Sequence, residues 1–393
     1  SGGRGFESCS RHHFCVMPLA NERLGEGPRG DGAMNRRFRI LFVVLGVVML
    51  GLVAFKFFEK PLARYLVERV IDENVGNDRS AALPDGLHVY VCGSGSPMAD
   101  PDRAGACLGV IAGDTRMIFD VGSGSIRVLG RMGFPVGRTE RLFLTHLHSD
   151  HFDGLGELMV QSWVTGARAA PLPVMGPPGT AEVAAGFNRA YAVDAVYRTA
   201  HHGPEVANPA GHGLAAKDFI IPEGSDSVIV LQRGDLKVTA IRVSHDPVKD
   251  AYGYRIDYKG RSVAISGDTA FDPRFARASK GVDVLLHEAL DTALVGTMQK
   301  AAERRGAKPI AKVLADIPGY HTSPVDAARV AALADAGMLV YYHTIPPLPF
   351  TLVESLFLEG TEKAYNGDIR IAKDGDLISL PAGSRQMDYS NTL

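Results

Sequence analysis

The chain has 393 residues, 46% of them apolar, which is enough to bury a substantial core, excludes a disordered protein and favours one catalytic domain with an appendage. Its 42 Lys and Arg against 44 Asp and Glu leave a formal net charge of -2, without the basic excess that a phosphate-tracking surface needs, so charge does not favour nucleic acid. Four cysteines are too few for a disulfide scaffold.

Residues 1–33 show no periodicity, and Met34-Asn-Arg-Arg-Phe-Arg39 reads as the start of the protein proper. Segment 1–33 is therefore expected to be a non-native or disordered extension, and its histidines, Cys9 and Cys15 are not counted as ligands. Ile40 to Phe55 is uncharged and almost wholly apolar, and with Phe57 and Phe58 beyond Lys56 it approaches the length of a bilayer crossing. Arg36, Arg37 and Arg39 precede it, favouring an inside amino terminus and an exported body, although Lys56, Lys60, Arg64 and Arg69 blunt the asymmetry. No small-residue cleavage site follows. Residues 34–60 are thus expected to be a retained signal anchor in a bacterial-type inner membrane, with the lipid bilayer as partner and the body in the periplasm. Residues 61–85 read as a juxtamembrane helix and linker, and 86–393 as the globular domain.

Within that domain Leu87 to Val91 is strand-like and runs into the turn-rich Cys92-Gly-Ser-Gly-Ser-Pro97. Cys107 to Ala112 and Thr115 to Asp120 flank Gly113-Asp114, a hairpin signal. Cys92 and Cys107 can pair or stay buried thiols, and buried thiols are the expectation. Strands then alternate with helices, favouring sheets covered by helices over an all-β barrel.

The densest chemistry lies in Thr145-His-Leu-His-Ser-Asp-His151, between the buried run Leu142–Leu144 and a helix-like segment from Gly154. Alternate residues of an extended segment point the same way, so His146 and His148 can share one metal, while Asp150 and His151, past the bend, can face a second. Imidazole and carboxylate are ordinary zinc ligands, and no thiolate is needed. A two-metal site needs more donors, and three follow hydrophobic strands downstream: His245, Asp268 in Ser-Gly-Asp-Thr269, and His343. Each alone has a bland alternative, a structural histidine or a capping aspartate.

With these residues in place, the chain from Leu87 to Leu380 resembles the metallo-β-lactamase fold superfamily, in the branch containing tRNase Z and its arylsulfatase-like relatives. The resemblance is carried by Cys92–Pro97 with Arg103, Phe119-Asp-Val-Gly122, Thr145–His151, Met175-Gly-Pro-Pro-Gly179, His245 with Gly253-Tyr-Arg255, Ser266–Thr269, His287-Glu-Ala289, His321-Thr-Ser323 and His343. It implies an α/β, four-layer αββα sandwich. It further implies one zinc held by His146, His148, His245 and Asp268 and another by Asp150, His151, His343 and the bridging Asp268, with iron or manganese able to fill similar sites. Such a pair would generate a hydroxide nucleophile, oriented by Asp150, while His321, oriented by Glu288, protonates the leaving oxygen. His287 is expected to be structural.

In tRNase Z a basic, glycine-rich arm grips the substrate. Here the matching stretch from Gly176 to Gly224 carries Arg189, Arg198 and Lys217 against Glu182, Asp194, Glu205, Asp218 and Glu223, and a net acidic segment cannot neutralise phosphates, the main source of nucleic-acid affinity. It is expected to be an ordered lid over the metals, with Tyr191, Tyr197 or Arg198 touching substrate; His201, His202 and His212 are taken as polar loop residues. The reading is therefore a membrane-anchored binuclear zinc hydrolase acting on a small anionic phosphodiester or sulfate ester, with homodimerisation left open. A tRNA 3′-processing endoribonuclease (ribonuclease Z) is the alternative, and a non-catalytic metal-binding scaffold the reading outside enzymology.

Overall fold

A computed structural model describes residues 35–76 and 78–393. The extension expected in 1–33 lies outside the described residues. Two compact units divide near residue 72. Among the described residues the first holds one helix, α1 (Arg36–Asn74), which continues through Pro61 and so joins the apolar segment and the juxtamembrane segment in one element. Proline removes one N–H from the helical ladder and crowds the preceding turn, but the good helix formers Leu62, Ala63 and Arg64 resume the helix behind it. This helix is long and apolar enough to cross a membrane, and side chains such as Leu50 and Phe57 are exposed.

The second unit is built on two mixed sheets. Strands β1 (Gly86–Gly93), β2 (Cys107–Ala112), β3 (Thr115–Phe119), β4 (Arg141–Phe143), β5 (Leu172–Gly176) and β6 (Leu214–Asp218) begin the first sheet. Strands β7 (Ser227–Arg233), β8 (Leu236–Arg242), β9 (Tyr252–Tyr258), β10 (Arg261–Ile265), β11 (Val284–Leu290), β12 (Met338–Ile345) and β13 (Asp368–Ile371) form the second. The chain then returns to the first sheet with β14 (Asp376–Pro381) and β15 (Asp388–Asn391), giving the order β15-β14-β1-β2-β3-β4-β5-β6 against β13-β12-β11-β10-β9-β8-β7. Each sheet is antiparallel at one end and parallel at the other.

Period-two alternation explains the layering. On β1, Leu87, Val89 and Val91 point into the core shared with the second sheet, where Val238, Tyr254, Val263, Leu286 and Val340 meet them. Tyr90 and Cys92 point the other way, into a second core under α2 (Ser125–Arg131), α3 (Leu155–Thr165) and α4 (Thr180–Ala190), beyond which lies α5 (Ala192–His202). A third core lies between the second sheet and α6 (Pro273–Ala278), while α7 (Thr292–Arg304) and α8 (Lys308–Asp316) pack mainly on each other. The Ala-rich α9 (Pro324–Ala334), capped by Ser323 on the backbone N–H of Asp326, completes the outer layer. The result is the αββα sandwich. With both faces covered, every residue of β1, β11 and β12 is buried.

The expected pair of buried thiols is corrected: Cys92 and Cys107 form a disulfide. A bulge between Val91 and Gly93 shifts the register so that the end of β1 meets Cys107, bringing the two Cα atoms to 5.1 Å.

Candidate metal centre

The parallel strand β4 ends among its neighbours β3 and β5, and the chain beyond it cannot continue the ladder. It turns instead through Thr145–His148 into a short 3-10 turn at Ser149–His151, which puts the motif at the rim between the sheets. Close approach is needed here. A Cβ on Gly122 would collide with the Asp150 carbonyl oxygen, and Gly267, at φ +60°, lies against Thr145. Loops after β8 and β10 bring His245 and Asp268 to the same rim, and β12 brings His343 in a left-handed conformation at φ 48°. Such a conformation costs a non-glycine residue on the order of 1–3 kcal/mol, so surrounding structure must hold it.

Two donor groups result. Ligand atoms of His146, His148, His245 and Asp268 lie within 4.8 Å of one another, as do those of Asp150, His151 and His343. In the first group His148 Nδ1 is 3.0 Å from His146 Nε2 and 3.2 Å from His245 Nε2. In the second, Asp150 Oδ2 is 3.1 Å from His343 Nε2 and 3.5 Å from His151 Nε2. Asp268 stands between them, with Oδ2 at 3.8 Å from His146 Nε2 and Oδ1 at 3.3 Å from His151 Nε2.

Hydrogen bonds behind the rings decide which nitrogen faces inward. His151 Nδ1 donates to Asp120 at 2.8 Å, and His245 Nδ1 donates to the Tyr320 carbonyl at 2.9 Å. Asp120 also accepts the Thr145 hydroxyl, which leaves Thr145 Oγ1 to accept from His146 Nδ1 at 3.1 Å. In the neutral rings these bonds keep the proton on Nδ1 and leave three Nε2 atoms free and aimed at the centre, as metal-binding imidazoles require. The fit to a cation shows in the buried atoms that no protein group satisfies: His151 Nε2, Asp268 Oδ1 and His343 Nδ1 all lack a hydrogen-bond partner. Burial and the neighbouring His151 hold His146 well below its ordinary pKa. Burial disfavours charge on Asp268 too, yet the facing His343, His151 and His146 rings hold its carboxyl well below the carboxylate range.

A cavity of about 380 Å³ opens on this cluster, and His321 lines it. Its Nδ1 is 3.2 Å from Glu288 Oε1, which is fully buried and also accepts the backbone N–H groups of Thr269 and Thr322. Burial disfavours the imidazolium, but Glu288 outweighs burial and pushes the His321 pKa up to about 9. The pairing with Glu288 thus favours the imidazolium form of His321 in the cleft. His287 points away, packed edge-on against Phe275.

All nine residues expected at the metal centre and the acid meet in this cleft; the three expected in a lid do not. Tyr191 lies over Gly156 and beside Phe187, Tyr197 is 61% exposed, and Arg198 pairs with Asp194 at 2.6 Å. None lines the cavity. The segment leaves β5 along the outer face of the first sheet, and Asp218 caps α4 by accepting from the N–H groups of Gly179 and Ala181. The far wall comes from α8 and the turn after it, which sequence reasoning did not single out. Asp120 was also missed in its role: it holds His151, and at φ 55° it is itself strained. Its place in Phe119-Asp-Val-Gly122 was visible, but its partners lie 25 and 31 residues further on.

Comparison with known proteins adds three findings. The metallo-beta-lactamase superfamily model matches residues 101–343. Ribonuclease Z of Mycobacterium avium is 34% identical over 264 residues, 67% of this chain and 87% of its own length, and ribonuclease Z of Mycobacterium bovis is 32% identical over 291 residues, 73% and 96%. The human short-form tRNase Z shares the fold, with a TM-score of 0.52 at 20% identity over 75% of this chain and 99% of that one. These relatives overturn the expectation that nucleic acid is not favoured and that the partner is a small anionic ester. The acidic charge behind that expectation belongs to a segment that does not face the cleft, where Asp218 is a helix cap and Asp194 is paired with Arg198.

Proposed function

The chain belongs to the metallo-beta-lactamase superfamily, in the branch that holds ribonuclease Z, and is a metal-dependent hydrolase; from that premise we propose that it cleaves RNA phosphodiesters. The observation that carries the reading is the meeting of two adjoining donor groups with the Glu288-paired His321 in one cleft, on a chain that aligns with nearly the full length of its ribonuclease Z relatives. His146, His148, His245 and Asp268 would hold one ion and Asp150, His151, His343 and Asp268 a second, zinc by the nature of the donors, with iron or manganese also suited. Two bound divalent ions would supply Lewis-acid chemistry, making water nucleophilic near neutral pH and neutralising charge on the phosphoryl oxygens.

The chain's own groups do the rest. Asp150, at the mouth of the cleft, orients the attacking water. As the water oxygen bonds to phosphorus it gives up one proton to Asp150, the bond from phosphorus to the ribose oxygen breaks, and His321 Nε2 gives that oxygen its proton while the Nδ1 proton stays shared with Glu288. A non-catalytic scaffold would have no use for this acid. The test is incubation of the full chain with a 3′-extended tRNA. Discrete cleavage, abolished by chelation and restored by zinc, is expected; intact RNA alongside hydrolysis of a nitrophenyl phosphodiester would remove RNA from the proposal.

We further propose that α1 anchors the protein in a membrane with its body on the non-cytoplasmic side, on the strength of the arginines ahead of the apolar stretch and of the Cys92–Cys107 disulfide, a bond of oxidising compartments. A reporter fused after Leu393 reads the orientation directly, and activity confined to the cytoplasm would reverse it.

A further inference from the structure

We propose that α8 and the turn after it give the cleft a base-binding wall, in which Tyr320, Val313, Ile317 and Met98 hold the nucleobase of the nucleotide that carries the leaving oxygen. The assignment rests on the RNA reading and names the part of the substrate that the second half of the cleft takes.

The α7–α8 hairpin is inserted between Glu288 and His321, so both its ends are tied to the catalytic rim. It has a small core of its own, in which Leu290, Val295, Ala302, Ala311, Leu314 and Ile317 pack with Ile345. Opposite faces of α8 do different things. Ala311 and Leu314 turn into that core, as does Ile317 just past the helix, whereas Ile310 and Val313, three apart, lie on another face. Ile310 is 59% exposed and Val313 57%, so the hairpin's core does not need them. Val313 lines the cavity that opens on the metal cluster, together with Ile317, Tyr320 and, from the loop after β1, Met98, the last three also packing with the hairpin's core.

A cleft built only for a phosphate has no use for such a wall. Its ligand therefore has an apolar, flat-faced part attached close to the phosphoryl group, and in RNA that part is the base. The rings fix which base. Tyr320 lies 5.0 Å from His321 and 5.2 Å from His245, next to the group that protonates the leaving oxygen. A base stacked on Tyr320 thus belongs to the nucleotide on the leaving side. Stacking on an aromatic ring flanked by aliphatic side chains accepts any base, so the wall contributes affinity without reading sequence.

The test uses the full zinc-loaded chain and three short RNAs: one intact, one abasic at the leaving nucleotide, and one abasic on the other side of the cut. Wild type should show a KM on the order of 5- to 100-fold higher for the leaving-side abasic RNA than for the other two, the range of base–aromatic stacking. Tyr320→Ala should raise KM on intact RNA by a similar factor with kcat little changed and should no longer distinguish the three RNAs. Val313→Ser, at an exposed position, should move KM the same way by less, and it keeps the assignment testable if Tyr320→Ala does not fold. Equal KM of wild type on all three RNAs, or an equal loss by the variants on intact and abasic RNA, overturns the wall while leaving RNA cleavage standing. Failure of wild type to cut any of the three while it hydrolyses a nitrophenyl phosphodiester overturns the RNA reading and the wall with it.

Discussion

Two helical hairpins invite comparison: α4–α5, which sequence composition marks as a lid, and α7–α8, which it does not. The α4–α5 pair carries the aromatic and charged residues that suggest substrate contact, yet α5 has no buried residue and its Tyr197 and Arg198 are on the outer surface. The α7–α8 pair has the pattern of an ordinary amphipathic hairpin and nonetheless walls the cleft. Connectivity separates them. The α7–α8 hairpin joins Glu288 to His321, both fixed at the rim, so any insertion there must begin and end at the site; α4–α5 joins β5 to β6 and follows the sheet. Where a segment is tethered says more about what it touches than its composition does.

The comparison is sharpest if the tethering residues matter more than either hairpin. Replacing His321 with alanine should lower kcat on RNA by about 10²–10⁴-fold, because the ribose oxygen is a poor leaving group, and should spare a nitrophenyl ester, whose leaving group departs unaided. Equal losses on both substrates would take the acid away from His321. Next comes the disulfide, which closes the loop that carries Met98. Separated by 15 residues, Cys92 and Cys107 should contribute on the order of 3 kcal/mol, so Cys92→Ser with Cys107→Ser should melt well below wild type when the full chain is unfolded in detergent. An unchanged melt in a preparation shown to contain the disulfide would mean that this loop is already held by Arg103, which donates to Ala372 O, and by Asp374.

A smaller effect is expected behind the metal. Asp120→Asn keeps the shape but weakens the acceptor for His151 Nδ1, and loss of such a partner typically costs about 10–100-fold in metal affinity, readable by chelator competition. This residue also marks how far the sequence could be read. His146, His148, Asp150, His151, His245, Asp268 and His343 were legible because each follows a hydrophobic strand and carries a donor side chain, and the layers were legible because the strands alternate. Asp120 had no readable role because its partners come from a distant part of the chain. Likewise the disulfide depends on a bulge, and the wall on which face of α8 turns inward, both set by tertiary packing.

The smallest expected effect is the one that best tests the comparison. If α4–α5 lies outside the cleft, Tyr197→Ala and Arg198→Ala should each leave kcat/KM within about two-fold of wild type, as surface substitutions away from a site do. The Arg198–Asp194 pair is about 40% exposed on both sides, so breaking it should also leave the melt nearly unchanged. A KM effect from either variant on RNA but not on a nitrophenyl ester would mean that a long substrate reaches α5 beyond the cleft, bringing the outer hairpin back as an additional contact rather than a lid. A loss on both substrates would require α5 to fold over the metals, and only that outcome would restore the expectation drawn from composition.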